Sequence, residues 1–185
     1  MKKLAKKTKD WVTIQAPSFF NEKAIGKTLS SDPKLLIGRK MTVNSMDLTG
    51  NLSKYYLKVI FRINQVDGSV AKTSFSGSEC VRDYISRMVV RRVRRIDTIQ
   101  DLKTKDGVTI RVKGIAITSR KVKSSVEKVI RKRIAEMIKQ RVESATLENL
   151  INQILSDEMK NRILQEARRI YPIRNFEIRK TQVLS

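Results

Sequence analysis

Residues 78–118, SECVRDYISRMVVRRVRRIDTIQDLKTKDGVTIRVKGIAIT, decide how the rest of the chain is read. Val81, Tyr84, Ile85 and Met88 fall at i, i+3, i+4 and i+7, the stripe that a helix buries. On that helix Arg87, Arg91 and Arg94 share a separate face. Arg92 returns to the apolar stripe, so the helix is expected to end near it, with Cys80 packed as a small residue at its start. From Arg95 onward apolar and polar residues alternate in two runs joined by Lys105-Asp106-Gly107, which predicts two strands and a tight turn. An arginine cluster fixed on a packed helix and sheet points to a polyanion.

Composition narrows the classes. The chain has 185 residues, with 40 Lys and Arg against 18 Asp and Glu, a net charge of +22. A chain of this length buries roughly 70% of its unfolded surface, enough for a true core in one domain or two small ones. So large an excess of like charge is self-repulsive until an anionic partner compensates it. No apolar run reaches the ~18 residues of a membrane span. The first residues, MKKLAKKTKD, lack the apolar centre of a signal peptide. A single cysteine excludes an intrachain disulfide and multi-cysteine zinc sites. The absence of histidine removes the usual general base near neutral pH.

Working outward, the expected fold class is α+β: a small β-barrel of short, mostly antiparallel strands with a packed helical C-terminal portion. Residues 1–9 read as a flexible basic arm, 10–120 as the β-rich barrel carrying the arginine-rich helix, and 121–185 as a helical portion with a possible final strand. Within the barrel, residues 10–16 alternate as a strand closed by Pro17, with Trp11 read as a core anchor ahead of the alternative that it stacks on a base. Further strands are expected over 24–31, 39–47, 54–66 and 70–75. Val66-Asp67-Gly68-Ser69 forms a hairpin in which Asp-Gly takes positive backbone angles. Gly26-Lys27-Thr28 is not a phosphate loop, because Asn21 stands where that motif needs glycine.

The second half turns helical. Over 123–142 the buried stripe is expected to be Val126, Val129, Ile130, Ile134 and Met137. Thr146 caps a helix burying Leu147, Leu150, Ile151, Ile154 and Leu155. A further helix starts near Ser156-Asp157 and stops before Pro172, and residues 173–180 return as a strand exposing Arg174, Arg179 and Lys180. The later helices carry more acid, at Glu143, Glu148, Asp157, Glu158 and Glu166, and are expected to face protein or solvent.

Two kinds of chemistry remain. Asp97, Asp101 and Asp106 lie close in sequence, as metal-dependent nucleases arrange carboxylates for magnesium, yet Asp106 precedes a turn glycine and the others are interleaved with polar residues. Binding requires less precision. The run Arg91-Arg92-Val93-Arg94-Arg95 contains no acid, whereas an ordinary solvated face mixes lysine with glutamate. The candidate RNA-binding residues are therefore Arg87, Arg91, Arg92, Arg94, Arg95, Lys103, Lys105, Arg111, Lys113, Lys121 and Lys123, acting on phosphates. No helix-turn-helix, zinc finger or zipper is present, and short strands suit irregular or single-stranded RNA. A chromatin-type DNA-binding protein shares the charge and stands as the alternative, with a carboxylate nuclease behind it.

The order of several motifs adds a resemblance. Residues 10–20 (DWVTIQAPSFF), Gly38-Arg39, Asp47-Leu48-Thr49, Arg82-Asp83-Tyr84, Arg91-Arg92, Arg95-Ile96-Asp97, Lys103-Thr104-Lys105-Asp106-Gly107 and Arg111-Val112-Lys113 resemble the small-subunit ribosomal protein family of archaea and eukaryotes called S-three-A-e. The likeness covers most of the chain. It implies a β-barrel joined to an α/β portion on the small-subunit platform near the messenger exit, in the cytoplasm. The implied partners are ribosomal RNA near its 3' end, neighbouring small-subunit proteins, and messenger or initiation factors. It implies no catalytic activity, no cofactor and no membrane. The sequence lacks the long basic C-terminal extension of eukaryotic members, so the resemblance is to the archaeal form.

Overall fold

The structure, a computed structural model, describes residues 8–184, so most of the basic arm expected over 1–9 lies outside the described residues. It is a mixed α+β protein with eight strands and five helices. The chain packs as two units, one made of the described residues up to Tyr55 with Val59–Ser76, the other of Tyr56–Lys58 with the residues from Gly77 onward. This division falls inside two strands, Leu57–Asp67 and Val70–Cys80.

The first unit contains β1 (Asp10–Gln15), β2 (Ala24–Ser30), β3 (Lys40–Asn44), α1 (Ser45–Thr49), most of β4 (Leu57–Asp67) and the first part of β5 (Val70–Cys80). Its strands pair in the order β2-β1-β5-β4-β3. β1 is antiparallel to β2 and parallel to β5. Val12 and Ile14 of β1 point inward onto Leu36, Ile63 and Ala71, as period-2 alternation requires. The barrel expected from the sequence does not close: among the described residues β2 and β3 meet through side chains, not a hydrogen-bonded ladder. Arg39 Nη1 donates to Thr28 Oγ1 at 2.7 Å, and Gly26 leaves room for the Met41 methyl. Trp11 is not a core anchor. It stands on the outward side of β1 and is 61% exposed.

Two local readings change here. The strand expected over 39–47 stops at Asn44, and α1 follows, ending where Gly50 takes φ +71° and donates to the Met46 carbonyl at 2.8 Å. In the β4–β5 hairpin, Gly68 alone takes the positive angle expected of Asp67-Gly68.

The second unit contains the end of β5, α2 (Arg82–Met88), β6 (Arg95–Lys103), β7 (Thr109–Thr118), α3 (Ser124–Ser144), α4 (Leu147–Leu155), α5 (Glu158–Arg168) and β8 (Ile173–Val183). Its strand order is β5-β8-β7-β6. β6 and β7 form an unbroken antiparallel ladder from Arg95↔Ile117 to Lys103↔Thr109, turned at Gly107 with φ +79°. Ile130, Ile134 and Ile138 of α3 are at most 1% exposed and join Ile96, Ile110 and Phe176 in one core. Each such side chain contributes roughly 1.5–3 kcal/mol by leaving water. The predicted α3 stripe was rotated: Val129 is 54% exposed, and the buried line is Glu127, Ile130, Ile134, Ile138 and Val142. Glu127 turns inward because two arginines hold its carboxylate. The α4 cap is as read, with Thr146 Oγ1 accepting from the Asn149 N–H at 3.4 Å.

The arginine-rich helix is shorter than its periodicity suggests. Gly77, Ser78 and Glu79 pair with Gln182, Thr181 and Lys180, which draws residues up to Cys80 into β5 and places Cys80 on a strand. A Cβ on Gly77 would lie 2.3 Å from the Thr181 carbonyl oxygen, so glycine is what permits this approach. At the other end α2 stops at Met88, and Arg92 takes φ +67° in the turn before β6. Arg87, Arg91 and Arg94 therefore do not share a helical face.

Candidate nucleic-acid interface

Residues paired directly across antiparallel strands share a face of the sheet. The registers place Glu79, Lys180, Lys113 and Ile99 in one row across β5, β8, β7 and β6, and Gln182, Arg111 and Asp101 in the next. Between Lys113↔Lys180 and Gly114↔Ile178 the register slips by one, so Arg179 is the extra residue of a β-bulge. Such bulges re-aim a side chain.

Against this face α2 bounds a cleft of about 430 Å³ lined by Glu79, Cys80, Arg82, Ile85, Ser86, Arg95, Lys113, Arg179 and Lys180. Five cations thus surround one carboxylate. Glu79 holds Lys180 at 3.1 Å, and Asp97 holds Arg95 at 3.0 Å. Arg82, Lys113 and Arg179 have no ion-pair partner among the described residues. Lys113 directly opposite Lys180 is a repulsive pairing on a sheet.

The structure brings together only part of the predicted set. Arg95 and Lys113 line the cleft. Arg111 lies one row away, where its Nε and Nη2 donate to the two oxygens of Asp101 at 2.6 and 2.7 Å. That bidentate pairing holds the Asp101 carboxyl below its usual range. Arg94 is turned to Glu127 at 2.8 Å, and Arg131 takes the other oxygen at 2.7 Å. The hydrogen bond from Arg94 is the main reason the Glu127 carboxyl is held low. Arg87, Arg91 and Arg92 are exposed on and after the last turn of α2, without ion pairs among the described residues. Lys103 and Lys105 are exposed at the β6–β7 turn, and Lys121 and Lys123 before α3, away from the cleft lining. Sequence reasoning missed Arg82 and, as cleft residues, Arg179 and Lys180.

The three aspartates do not form a metal site. Asp97 takes Arg95, Asp101 takes Arg111, and Asp106 Oδ2 accepts from the Leu147 N–H at 2.8 Å, serving the start of α4. No group of three potential ligands occurs among the described residues. Beneath α2, Glu177 is 4% exposed and accepts from Tyr84 Oη at 2.7 Å and from Lys160 Nζ. Burial pushes its carboxyl up against the opposing pull of those two donors, and burial likewise raises the Tyr84 hydroxyl. This network braces the fold.

An α+β scaffold with a cationic cleft, exposed arginines free of ion pairs among the described residues and carboxylates spent on internal pairs has the surface of a polyanion-binding protein. The chain belongs to the ribosomal S3Ae family, whose model matches residues 2–185. It is similar to the small ribosomal subunit protein eS1 of Methanopyrus kandleri, at 38% identity over 182 residues covering 96% of this chain and 86% of the relative. The protein of that name from Methanothermobacter thermautotrophicus is 38% identical over 178 residues, 96% of this chain and 91% of the relative. That of Methanobrevibacter smithii is 36% identical, over 97% and 93% of the two chains.

Proposed function

We propose that this protein is a structural, non-enzymatic constituent of the small ribosomal subunit, in the cytoplasm, and that it binds ribosomal RNA through phosphates. Family membership over residues 2–185 carries the reading, since relatives aligned over nearly the whole chain are named as small-subunit proteins. The exposed cations support it, most of them without an ion-pair partner among the described residues. Arg87, Arg91, Arg92, Arg95, Lys103, Lys105, Lys113, Lys121 and Lys123 are the proposed RNA contacts, joined by Arg82, Arg179 and Lys180. Arg111 and Arg94 are proposed to contribute field rather than direct grip, because Arg111 is held by both oxygens of Asp101 and Arg94 by the buried Glu127; Arg95 and Lys180 are also paired, but with the half-exposed Asp97 and Glu79, which a phosphate can replace. Threading of the basic arm expected over residues 1–9 along phosphates is part of the proposal. The finer placement on the platform near the messenger exit is part of the proposal. So are contacts with RNA near its 3' end, with neighbouring proteins, and with messenger or initiation factors.

If six to ten phosphates are engaged, affinity falls by roughly 10³–10⁵ between 50 and 200 mM salt, with a shallower slope on single strands. The direct test is sedimentation of cell extract through a sucrose gradient, before and after a high-salt wash. The tagged chain is expected to travel with small subunits and to resist moderate salt. Migration at the top of the gradient, or with DNA, would overturn the reading in favour of a chromatin protein.

A further inference from the structure

We propose that the cleft between α2 and the β5–β8–β7–β6 face holds a single unpaired nucleotide of RNA, its phosphate shared by Arg82, Lys113, Arg179 and Lys180, the last of which is held by Glu79 until the phosphate arrives. The inference rests on the RNA-binding reading above and assigns one site within it. Its volume of about 430 Å³ lies in the range, roughly 300–1,000 Å³, in which proteins enclose small ligands. The cleft is open to solvent, so a duplex can lay a backbone phosphate across its mouth, while only an extruded nucleotide can occupy its volume.

The chemistry of the lining divides by function. Ile85 and Cys80, both nearly buried, provide a narrow apolar strip and Ser86 a hydroxyl beside the five cations, in a lining that is mainly polar, as a ribose next to a phosphate requires. The cations are not placed as a folding device. Lys113 sits directly opposite Lys180, and the bulge adds Arg179 to the same cleft, so the bare protein concentrates like charge. Glu79 offsets part of this through Lys180 at 3.1 Å, with both side chains partly open to water, and Asp97 and Asp101 offset more through Arg95 and through the field at Lys113. A phosphate entering the cleft offers Lys180 a second anion and lets Glu79 swing out to solvent. The exchange makes and breaks only ion pairs.

An acidic peptide would present carboxylates to the same cations. The apolar strip and the single-nucleotide size favour RNA, and the peptide becomes an outcome of the test. Full-length protein is titrated by fluorescence anisotropy with a labelled single-stranded oligoribonucleotide and with duplex RNA of equal length. The variants are Lys113→Met with Arg179→Met, and separately Glu79→Gln. The double variant is expected to weaken single-strand binding at least tenfold, to flatten its salt dependence by about 1 to 1.5 in log–log slope, and to lose preference for single strand over duplex. Glu79→Gln is expected to tighten single-strand binding several-fold, a gain that misfolding cannot imitate. Unchanged affinities in both variants, an equal loss on duplex, or displacement of the oligonucleotide by a poly-glutamate peptide at lower concentration would each overturn the proposal. Should the double variant still sediment with small subunits, the ribosomal reading would stand while the cleft assignment is judged by the titrations alone.

Discussion

The sheet face beside α2 and the outer surfaces of α3–α5 both carry arginine and lysine, yet they treat the charge differently. On the helices several cations meet a carboxylate close by, Arg162 with Glu158, Arg169 and Arg133 with Glu166, Lys139 with Glu143 and Arg131 with Glu127, while Lys128, Lys132 and Arg141 have none among the described residues. Around the cleft and the turn that follows α2, Arg82, Arg87, Arg91, Arg92, Lys113 and Arg179 have no such partner among the described residues. Basic residues of one composition thus serve two ends. Paired ones hold or solubilise the fold, and the unpaired ones beside α2 are the proposed contacts for an external anion.

The sharpest way to break this division is to remove a carboxylate from the paired side. Glu177→Ala leaves Lys160 without its buried partner and is expected to cost about 3–5 kcal/mol in urea unfolding. Glu177→Gln should cost far less, because burial already disfavours the charged form there. If Glu177→Ala unfolds like the parent protein, the pairing is not structural.

Glu127→Ala is expected to cost roughly 1–3 kcal/mol, since it strips two arginines of their acceptor. The pH dependence has a definite sign. The folded Glu127 carboxyl is held below its unfolded value of about 4.3, so its contribution is complete above that pH and is lost as pH falls through the folded value. Acid unfolding of Glu127→Gln should lack this component. A parallel acid profile for parent and variant would contradict it.

The smallest stability effect is the most diagnostic on the unpaired side. Arg92 takes φ +67°, a region that disfavours side chains, so Arg92→Gly is expected to stabilise the fold by about 1 kcal/mol or less. The same change should flatten the salt slope of RNA binding by about 0.7–0.9. Stability and binding moving together would show that Arg92 is structural.

Much of the second unit was legible in the sequence because its signals are local. Alternation marked β6 and β7, Gly107 their turn, and Thr146 the start of α4. What the sequence hid depends on distant neighbours. The α2 stripe continues past Met88 on paper, but β5 claims residues 78–80 by pairing with β8, and the turn at Arg92 prepares the entry into β6. Arg94 looks like any other member of the arginine run until Glu127, 33 residues away, accepts its guanidinium. Arg82 and Arg179 belong to one cleft only after the sheet register and the bulge bring them there, and no spacing rule links them. Trp11 illustrates the opposite error, where a rare aromatic was expected inside and stands outside.

The most direct test of the division compares two triple variants that remove equal charge. One replaces Arg87, Arg91 and Arg92 by glutamine, the other Arg133, Arg162 and Arg169, and each is titrated with small-subunit ribosomal RNA over a range of salt. The unpaired set is expected to flatten the log–log salt slope by about 2 to 3, while the paired set leaves it nearly unchanged. Equal flattening by both would contradict the account, because binding would then follow net charge and not the placement of cations free of internal partners.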